Sequence, residues 1–419
     1  MSTYTGNRGP NRTSNLELLE RELSLKQLQI NRLLEVTQAI NNNLAADALF
    51  KIYRSILGWE MKIDKMALFI RDEEEWMCTT GIGFDESQSL DFIGYELLKY
   101  DRMTNLLDST HSIIGQFDII IPVYHKKQAI AFALIGNLDS DDDMYEKIRF
   151  ITTITNIIAV AIENKRLFKK QLEQQSIKKE MQLAKQMQNL LIPSELPHNE
   201  HYELDGIYMP HSSVGGDYFD FIKFNEDEFA FCIADVSGKG TAAALLMANF
   251  QANLQSLIVQ RLEAEDFLQR LNKSVLKITK GDKFLTFFYG EYNLKTQQLK
   301  YVNAGHNPPV LVTQNKIHLL DKGCTILGIL NEIPFIELGS LTLNEEALII
   351  TYTDGLTDLQ NENDEYFDTD FLSDFALKYA DSMAAEFNNR LLNHIRQFKG
   401  KMTFPDDISV LTCKIFLKN

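Results

Sequence analysis

The sequence is short of cysteine, of net positive charge and of long apolar runs, and each shortage closes off a class of function. Among 419 residues there are four cysteines, Cys78, Cys232, Cys324 and Cys413. They lie far apart with no CxxC spacing, which argues against a zinc site and for buried, reduced thiols. Lysine and arginine number 42 against 58 aspartates and glutamates, a net charge of −16. A surface of that sign repels phosphates, so neither a nucleic acid nor an anionic membrane is expected as a partner. No apolar run approaches the ~20 residues that cross a bilayer. Residues 1–6 have neither the basic start nor the apolar core of a signal peptide. A soluble, cytoplasmic protein is expected. A Walker A loop is also missing. In the turn at 235–240, Ile233 stands where the first glycine belongs, and Gly240 follows Lys239 where Ser or Thr is needed.

What is present suffices for two or three domains with ordinary cores, since 45% of the residues are apolar. The first residues, to about Thr13, are polar and read as a disordered tail. Ser14-Asn15-Leu16-Glu17 reads as a capping box that opens a helix. Leu16, Leu19, Leu23, Lys26, Ile30, Leu33, Thr37, Ile40 and Leu44 then recur at threes and fours, a heptad seam interrupted by Lys26 and Thr37. Residues 1–45 are therefore a tail and an amphipathic or coiled-coil helix. Its seam either pairs two chains into a homodimer or packs on its own domain.

Residues 46–165 mix helix and strand. The runs 66–70 and 76–80 flank an acidic turn, and 119–124 and 129–135 flank the turn His125-Lys126-Lys127-Gln128. These are hairpin signals. The order of helix, antiparallel hairpins and closing helix, with the phrase from Ile119 to Asn137, resembles a GAF-type sensory domain. That resemblance implies an unidentified small-molecule ligand held between the sheet and a cover formed by 95–112. His111, His125 and Cys78 are candidate contacts; a purely structural, dimer-forming role is the alternative. The closing helix does not stop where the domain does. From Tyr145 through Leu191 there is no proline and no glycine, and Pro193 and Pro197 end the run. Residues 155–192 form a linker helix with a heptad-like seam (Ile158, Ala161, Phe168, Leu172, Ile177, Met181, Ala184, Met187, Leu191). Such a seam can carry a rotation or register shift between domains.

The C-terminal domain, 198–419, alternates strands with a few helices, which favours an antiparallel layered fold over a parallel one. Four motifs place aspartates beside glycines or at strand ends: Gly215-Gly216-Asp217, Asp235-Val236-Ser237-Gly238-Lys239-Gly240, Asp354-Gly355, and Asp406-Asp407. Carboxylate and carbonyl oxygens on rigid strand ends suit a hard divalent cation. Each motif singly is weak, because Asp-Gly is a common turn dipeptide; together they mark a binuclear centre.

With the lead-in 183–193 and Asn303-Ala304-Gly305-His306-Asn307-Pro308-Pro309, these four motifs resemble the bacterial PPM (PP2C-like) serine/threonine phosphatases of the SpoIIE/RsbU group. The resemblance implies an α+β chain whose C-terminal domain is an αββα sandwich with metals at one end. It implies two Mn²⁺ or Mg²⁺ ions, with Asp235 bridging both and the Val236 carbonyl holding one. Asp354 and Asp406 complete the second, and Asp217 binds directly or through a water. Asp235, Asp354 and Asp406 are the expected catalytic residues. Asp407 has no assigned role, His306 reads as structural or substrate-facing, and Ser237 stands where broader relatives carry a histidine acid. Two cations sharing a water make it nucleophilic near neutral pH and neutralise phosphoryl oxygens. The implied substrate is phosphoserine or phosphothreonine on a regulatory protein, in related systems often an anti-sigma-factor antagonist. A scaffold that keeps the fold and only sequesters a phosphoprotein is the competing reading.

Overall fold

The computed structural model describes residues 11–72, 75–85, 93–106, 108–138, 144–212, 214–314 and 316–417. The expected N-terminal tail (1–10) and the tip of the acidic turn (73–74) lie outside them. The chain divides into two compact units, Met1–Gln175 and Ser176–Asn419.

The first unit contains α1 (Asn11–Asn41), α2 (Ala46–Ser55), β1 (Lys65–Asp72), β2 (Glu75–Ile82), α3 (Ile93–Leu97), β3 (Thr104–Asn105), β4 (Ile119–His125), β5 (Gln128–Gly136) and the start of α4 (Met144–Asn189). Both expected hairpins form, and the strands join in one antiparallel sheet ordered β2-β1-β5-β4-β3. Each face of that sheet is closed by side chains. On one, Leu49 and Tyr53 of α2 and Ile151, Ile154 and Ile158 of α4 pack on Met66, Leu68 and Ile121. On the other, Phe69, Phe117 and Phe132 pack with Ile93, Leu97 and Leu106.

Helix α1 is described from Asn11, three residues before the expected capping box, so Ser14 lies within the helix. Its seam divides. Leu33, Ile40 and Leu44 pack on the unit's own core, joined by buried Val36 and Ala39. Leu16, Leu19 and Leu23 stay exposed. The same holds for α4, where Phe168, Leu172 and Ile177 are exposed.

The second unit contains β6 (Tyr202–Met209), β7 (Tyr218–Lys223), β8 (Glu228–Val236), α5 (Thr241–Ile258), α6 (Ala264–Thr279), β9 (Leu285–Asn293), β10 (Gln298–Ala304), β11 (Val310–Thr313), β12 (Lys316–Leu319), β13 (Gly323–Cys324), β14 (Gly339–Thr342), β15 (Ala347–Tyr352), α7 (Asp354–Thr357), α8 (Thr369–Lys378), α9 (Ala384–Lys399) and β16 (Ile408–Ile415). Two sheets form, ordered β13-β10-β9-β8-β7 with β14 on β10, and β12-β11-β15-β16-β6. The alternation of each strand divides its side chains between two cores. Along β15, Ala347 and Ile349 face the other sheet, packing with Phe231 and Phe288, while Leu348, Ile350 and Tyr352 face α8 and α9. Tyr202 and Phe229 stack across the sandwich with centroids 4.3 Å apart. Met247, Phe250, Leu271 and Val275 lay α5 and α6 on the first sheet. The result is an αββα sandwich. No helix among the described residues is long and apolar enough to cross a membrane.

Candidate active site

Antiparallel register brings the four motifs to one end of the sandwich. β7 begins where β8 ends, with Tyr218 opposite Ala234, so Asp217 and Asp235 are neighbours. In the other sheet β15 ends where β16 begins, with Tyr352 opposite Val410, so Asp354 and Asp406 fall at that same end of their sheet. Thr353 ties the two sheets there. Its Oγ1 donates to Asp217 Oδ2 at 2.8 Å and accepts from the Ser409 amide at 2.9 Å.

The carboxylates differ in setting. Asp217 is buried, and burial, then the neighbouring Asp235, pushes its carboxyl well above the ordinary range. Asp235 is pushed up to about 7 by burial and then by the charge on Asp354, a shift that contact with the Asp217 carboxyl opposes. Asp354 opens the short helix α7 and is exposed, yet its carboxyl is also pushed up, by desolvation and by Asp358 and Asp406. Asp406, on the rim, pairs with Lys239 at 2.8 Å, and the same ammonium donates to the Pro405 carbonyl at 2.9 Å. Buried like charges that raise one another's pKa are the signature of a site completed by something positive.

Asp407, unassigned from sequence, braces the site. Its Oδ1 accepts from the His211 amide and its Oδ2 from the Gly216 amide, both at 2.7 Å. Gln188, in the last turn of α4, grips the same loop. Its Nε2 donates to the Gly215 carbonyl at 2.6 Å and its Oε1 accepts from the Gly215 amide at 3.0 Å. Two glycines permit these approaches. A Cβ on Gly216 would stand 2.9 Å from the Val236 carbonyl, and one on Gly355 would stand 2.0 Å from the Asp407 carbonyl. His306 is buried, its Nδ1 lies 2.8 Å from Thr286 Oγ1, and burial lowers its pKa to about 4, so it is neutral. Thr286 faces Asp235 across the β8–β9 ladder, which puts His306 behind the site. The sequence alone offered no signal for Thr353 or for the Lys239 ion pair. Gln188 stood in the lead-in phrase, marked only by its place beside the helix end.

The donors fit divalent cations: hard carboxylate oxygens and the Val236 carbonyl, on rigid strand ends, with Lys239 as the counter-charge on Asp406. They are not drawn into a tight cage. Among the described residues no group of three or more His, Cys, Asp or Glu side chains already converges on one point.

Residues 225–416 match the family described as Stage II sporulation protein E (SpoIIE). The C-terminal unit is a SpoIIE-family domain. The chain is 31% identical over 192 residues to phosphoserine phosphatase RsbU of Bacillus subtilis (strain 168), covering 45% of this chain and 57% of that protein. Phosphoserine phosphatase RsbP of the same organism is 25% identical over 236 residues, covering 55% of this chain and 56% of its own length. The chain thus spans little more than half the length of these relatives. The SiaA-PP2C domain of Pseudomonas aeruginosa shares the fold at 16% identity and a TM-score of 0.50, over 59% of this chain and 99% of that domain. The SpoIIE-family domain therefore has the PP2C-like αββα architecture.

Proposed function

We propose that this protein is a metal-dependent serine/threonine phosphatase of the PPM type, acting on a phosphorylated regulatory protein. The observation that carries the reading is the set of carboxylates raised by burial and like charge, buried Asp217 and half-buried Asp235, with Asp354 and Asp406 at the same end of a PP2C-like sandwich. Two RsbU-type relatives are named phosphoserine phosphatases, which supports the substrate class. In this reading Asp217, Asp235, Asp354, Asp406 and the Val236 carbonyl hold two divalent cations, Mn²⁺ or Mg²⁺. When bound, the cations supply an activated water and neutralise charge developing on the phosphoryl group. The chain's own part is positioning. Thr353 fixes Asp217, Asp407 and Gln188 fix the Gly215-Gly216 loop beneath it, and the Ser237–Gly240 turn presents Val236.

The first unit's order of helix, hairpins and closing helix supports a GAF-type sensory domain within 46–165. The aromatic cluster Phe69, Phe117 and Phe132 fills the face where a ligand would sit. His111 accepts two turn amides, Cys78 lies in β2 and His125 ends β4, so the three candidate contacts stand on separate elements. A structural, dimer-forming role is therefore the better reading of that domain. The exposed Leu16, Leu19 and Leu23 of α1 and Phe168, Leu172 and Ile177 of α4 fit a seam between two chains. Gln188 gives the linker, 155–192, a means of switching the phosphatase domain, 198–419, because any shift of the end of α4 moves Gly215. A reducing, cytoplasmic setting fits four cysteines spaced far apart with no CxxC pattern. An anti-sigma-factor antagonist fits as substrate by analogy with the SpoIIE/RsbU group that the sequence resembles.

Hydrolysis of para-nitrophenyl phosphate by the full chain tests the reading. Turnover that needs Mn²⁺ or Mg²⁺ and is lost in Asp235→Asn is expected. No turnover, with tight binding of phosphoserine peptides, would favour the sequestering scaffold instead.

A further inference from the structure

Past its acidic first turn of Glu265 and Asp266, α6 and the turn that follows it carry charge against the sign of the rest of the molecule. Between 267 and 283 there are five basic residues, Arg270, Lys273, Lys277, Lys280 and Lys283, and one acidic, Asp282, in a chain of net charge −16. Arg270, Lys273 and Lys277 are spaced three and four apart, which puts them on one face of α6, and Lys280 is the helix's left-handed C-cap. All four are exposed. Among the described residues only Lys273 has an acidic partner, Glu332 at 3.8 Å.

The stripe leads to the catalytic turn. Just past α6, Lys283 Nζ donates to the Ser237 carbonyl at 3.2 Å, and Phe284 and Ser237 exchange two further bonds at 2.9 Å. From Arg270 to Lys280 the face runs back about 15 Å at 1.5 Å per residue. Alongside it the loop after Leu327 is clamped down. Asn272 accepts from the Gly328 amide and donates to the Leu330 carbonyl, each at 2.8 Å, and Gln269 bonds both the amide and the carbonyl of Ile333. That loop holds Ile329 and Leu330 exposed at 44% and 42% beside the stripe. A shallow depression of about 510 Å³, lined by Lys273, Leu276, Lys277, Asn331 and Glu332, lies between them.

We propose that this surface, the basic face of α6 with Ile329 and Leu330, docks an acidic face of the phosphorylated protein substrate. The inference rests on the phosphatase reading. An all-acidic exterior would repel a substrate that carries a phosphate dianion and acidic neighbours. A local basic track ending at the catalytic turn reverses that repulsion where it matters, raising encounter rate and selecting acidic partners. At ~3.3 Å per extended residue the ~15 Å track spans four or five residues of an extended substrate segment.

The test uses the full chain, para-nitrophenyl phosphate, and two phosphoserine peptides that differ only in having aspartates or lysines at the flanking four or five positions. The wild type is expected to show at least a tenfold higher kcat/KM for the aspartate-flanked peptide at low salt, shrinking as the Debye length falls. The exposed triple variant Arg270→Glu/Lys273→Glu/Lys277→Glu should lose that preference and keep aryl phosphate turnover within about twofold, the range expected for surface changes away from the centre. An equal preference in variant and wild type, or none in either, overturns the docking surface while aryl phosphate turnover still upholds the phosphatase. Absence of metal-dependent aryl phosphate turnover in the wild type sinks the phosphatase reading itself. Binding to phosphatidylserine vesicles that the triple variant loses, without any peptide preference, would assign the stripe to a lipid surface and overturn the proposal.

Discussion

The outer face of the N-terminal sheet and the acidic end of the C-terminal sandwich both bury large side chains at sheet positions, with opposite outcomes. On the first, Phe69, Phe117 and Phe132 satisfy one another: Trp76 and Phe132 pack with centroids 4.9 Å apart, and nothing charged is left over. On the second, Asp217 and Asp235 are packed together, and burial pushes the pKa of both carboxyls up. A packed apolar face completes itself, whereas a buried carboxylate pair is incomplete without a cation or a proton. The difference separates stability from function, and each side of it can be broken.

The largest effect is expected at Asp235. Asp235→Asn should lower Mn²⁺-dependent hydrolysis of para-nitrophenyl phosphate by about 10³-fold or more, since the carboxylate proposed to hold the cations is lost. Its melting temperature in chelator should not fall, because the change removes a charge that burial disfavours. Phe132→Ala should do the reverse in kind. A loss of about 3–5 kcal/mol in the first unit's stability is expected, read from its denaturant midpoint. An Asp235→Asn variant that unfolds, or a Phe132→Ala variant as stable as wild type, would erase the distinction.

Smaller effects sharpen it. Gln188→Ala removes both bonds to Gly215, and about a tenfold loss of activity is expected, with the second unit's unfolding shifted by only ~1–2 kcal/mol. Equal activity would deny the linker its grip on the site. The pH dependence should be smaller still. Asp235 holds its proton to about 7 when folded, against 3.8 for an ordinary aspartate. Between those values the unfolded chain binds fewer protons than the folded one, so stability falls as pH rises through that window. Chelator-treated protein should therefore melt at lower temperature near pH 7 than near pH 5. Asp235→Asn should flatten that slope, and Mn²⁺ should reverse it by binding the native state. A melting temperature that rises over the same interval would contradict the burial of these carboxylates.

Much of the sandwich was legible because its strands are contiguous apolar runs: 229–234 and 347–352 stand within or at the edges of β8 and β15. What escaped was short or charged. β12 has the sequence Lys316-Ile317-His318-Leu319 and is exposed throughout, so no run of burial marks it. α8 was missed because its apolar Phe371, Leu372, Phe375 and Ala376 lie among acidic residues that read as loop; Asp368 caps it by accepting from the Phe371 amide. At α1 a capping-box pattern misplaced the start, since tetrads of that kind also occur inside helices. At the site, the aspartates were visible as residues beside glycines. Their supports were not, because Thr353, Asp407 and Gln188 act through pairings of 136, 191 and 27 residues' separation. Such contacts are set by strand register and by the docking of a helix end, neither of which local sequence encodes.

The most direct test of the account is a calorimetric titration of Mn²⁺ into chelator-stripped full-length protein, run alongside aryl phosphate hydrolysis. Two bound ions per chain, with turnover rising as they bind and both lost in Asp235→Asn, are predicted. Undiminished Mn²⁺ binding in Asp235→Asn, or hydrolysis that proceeds in chelator, would contradict it.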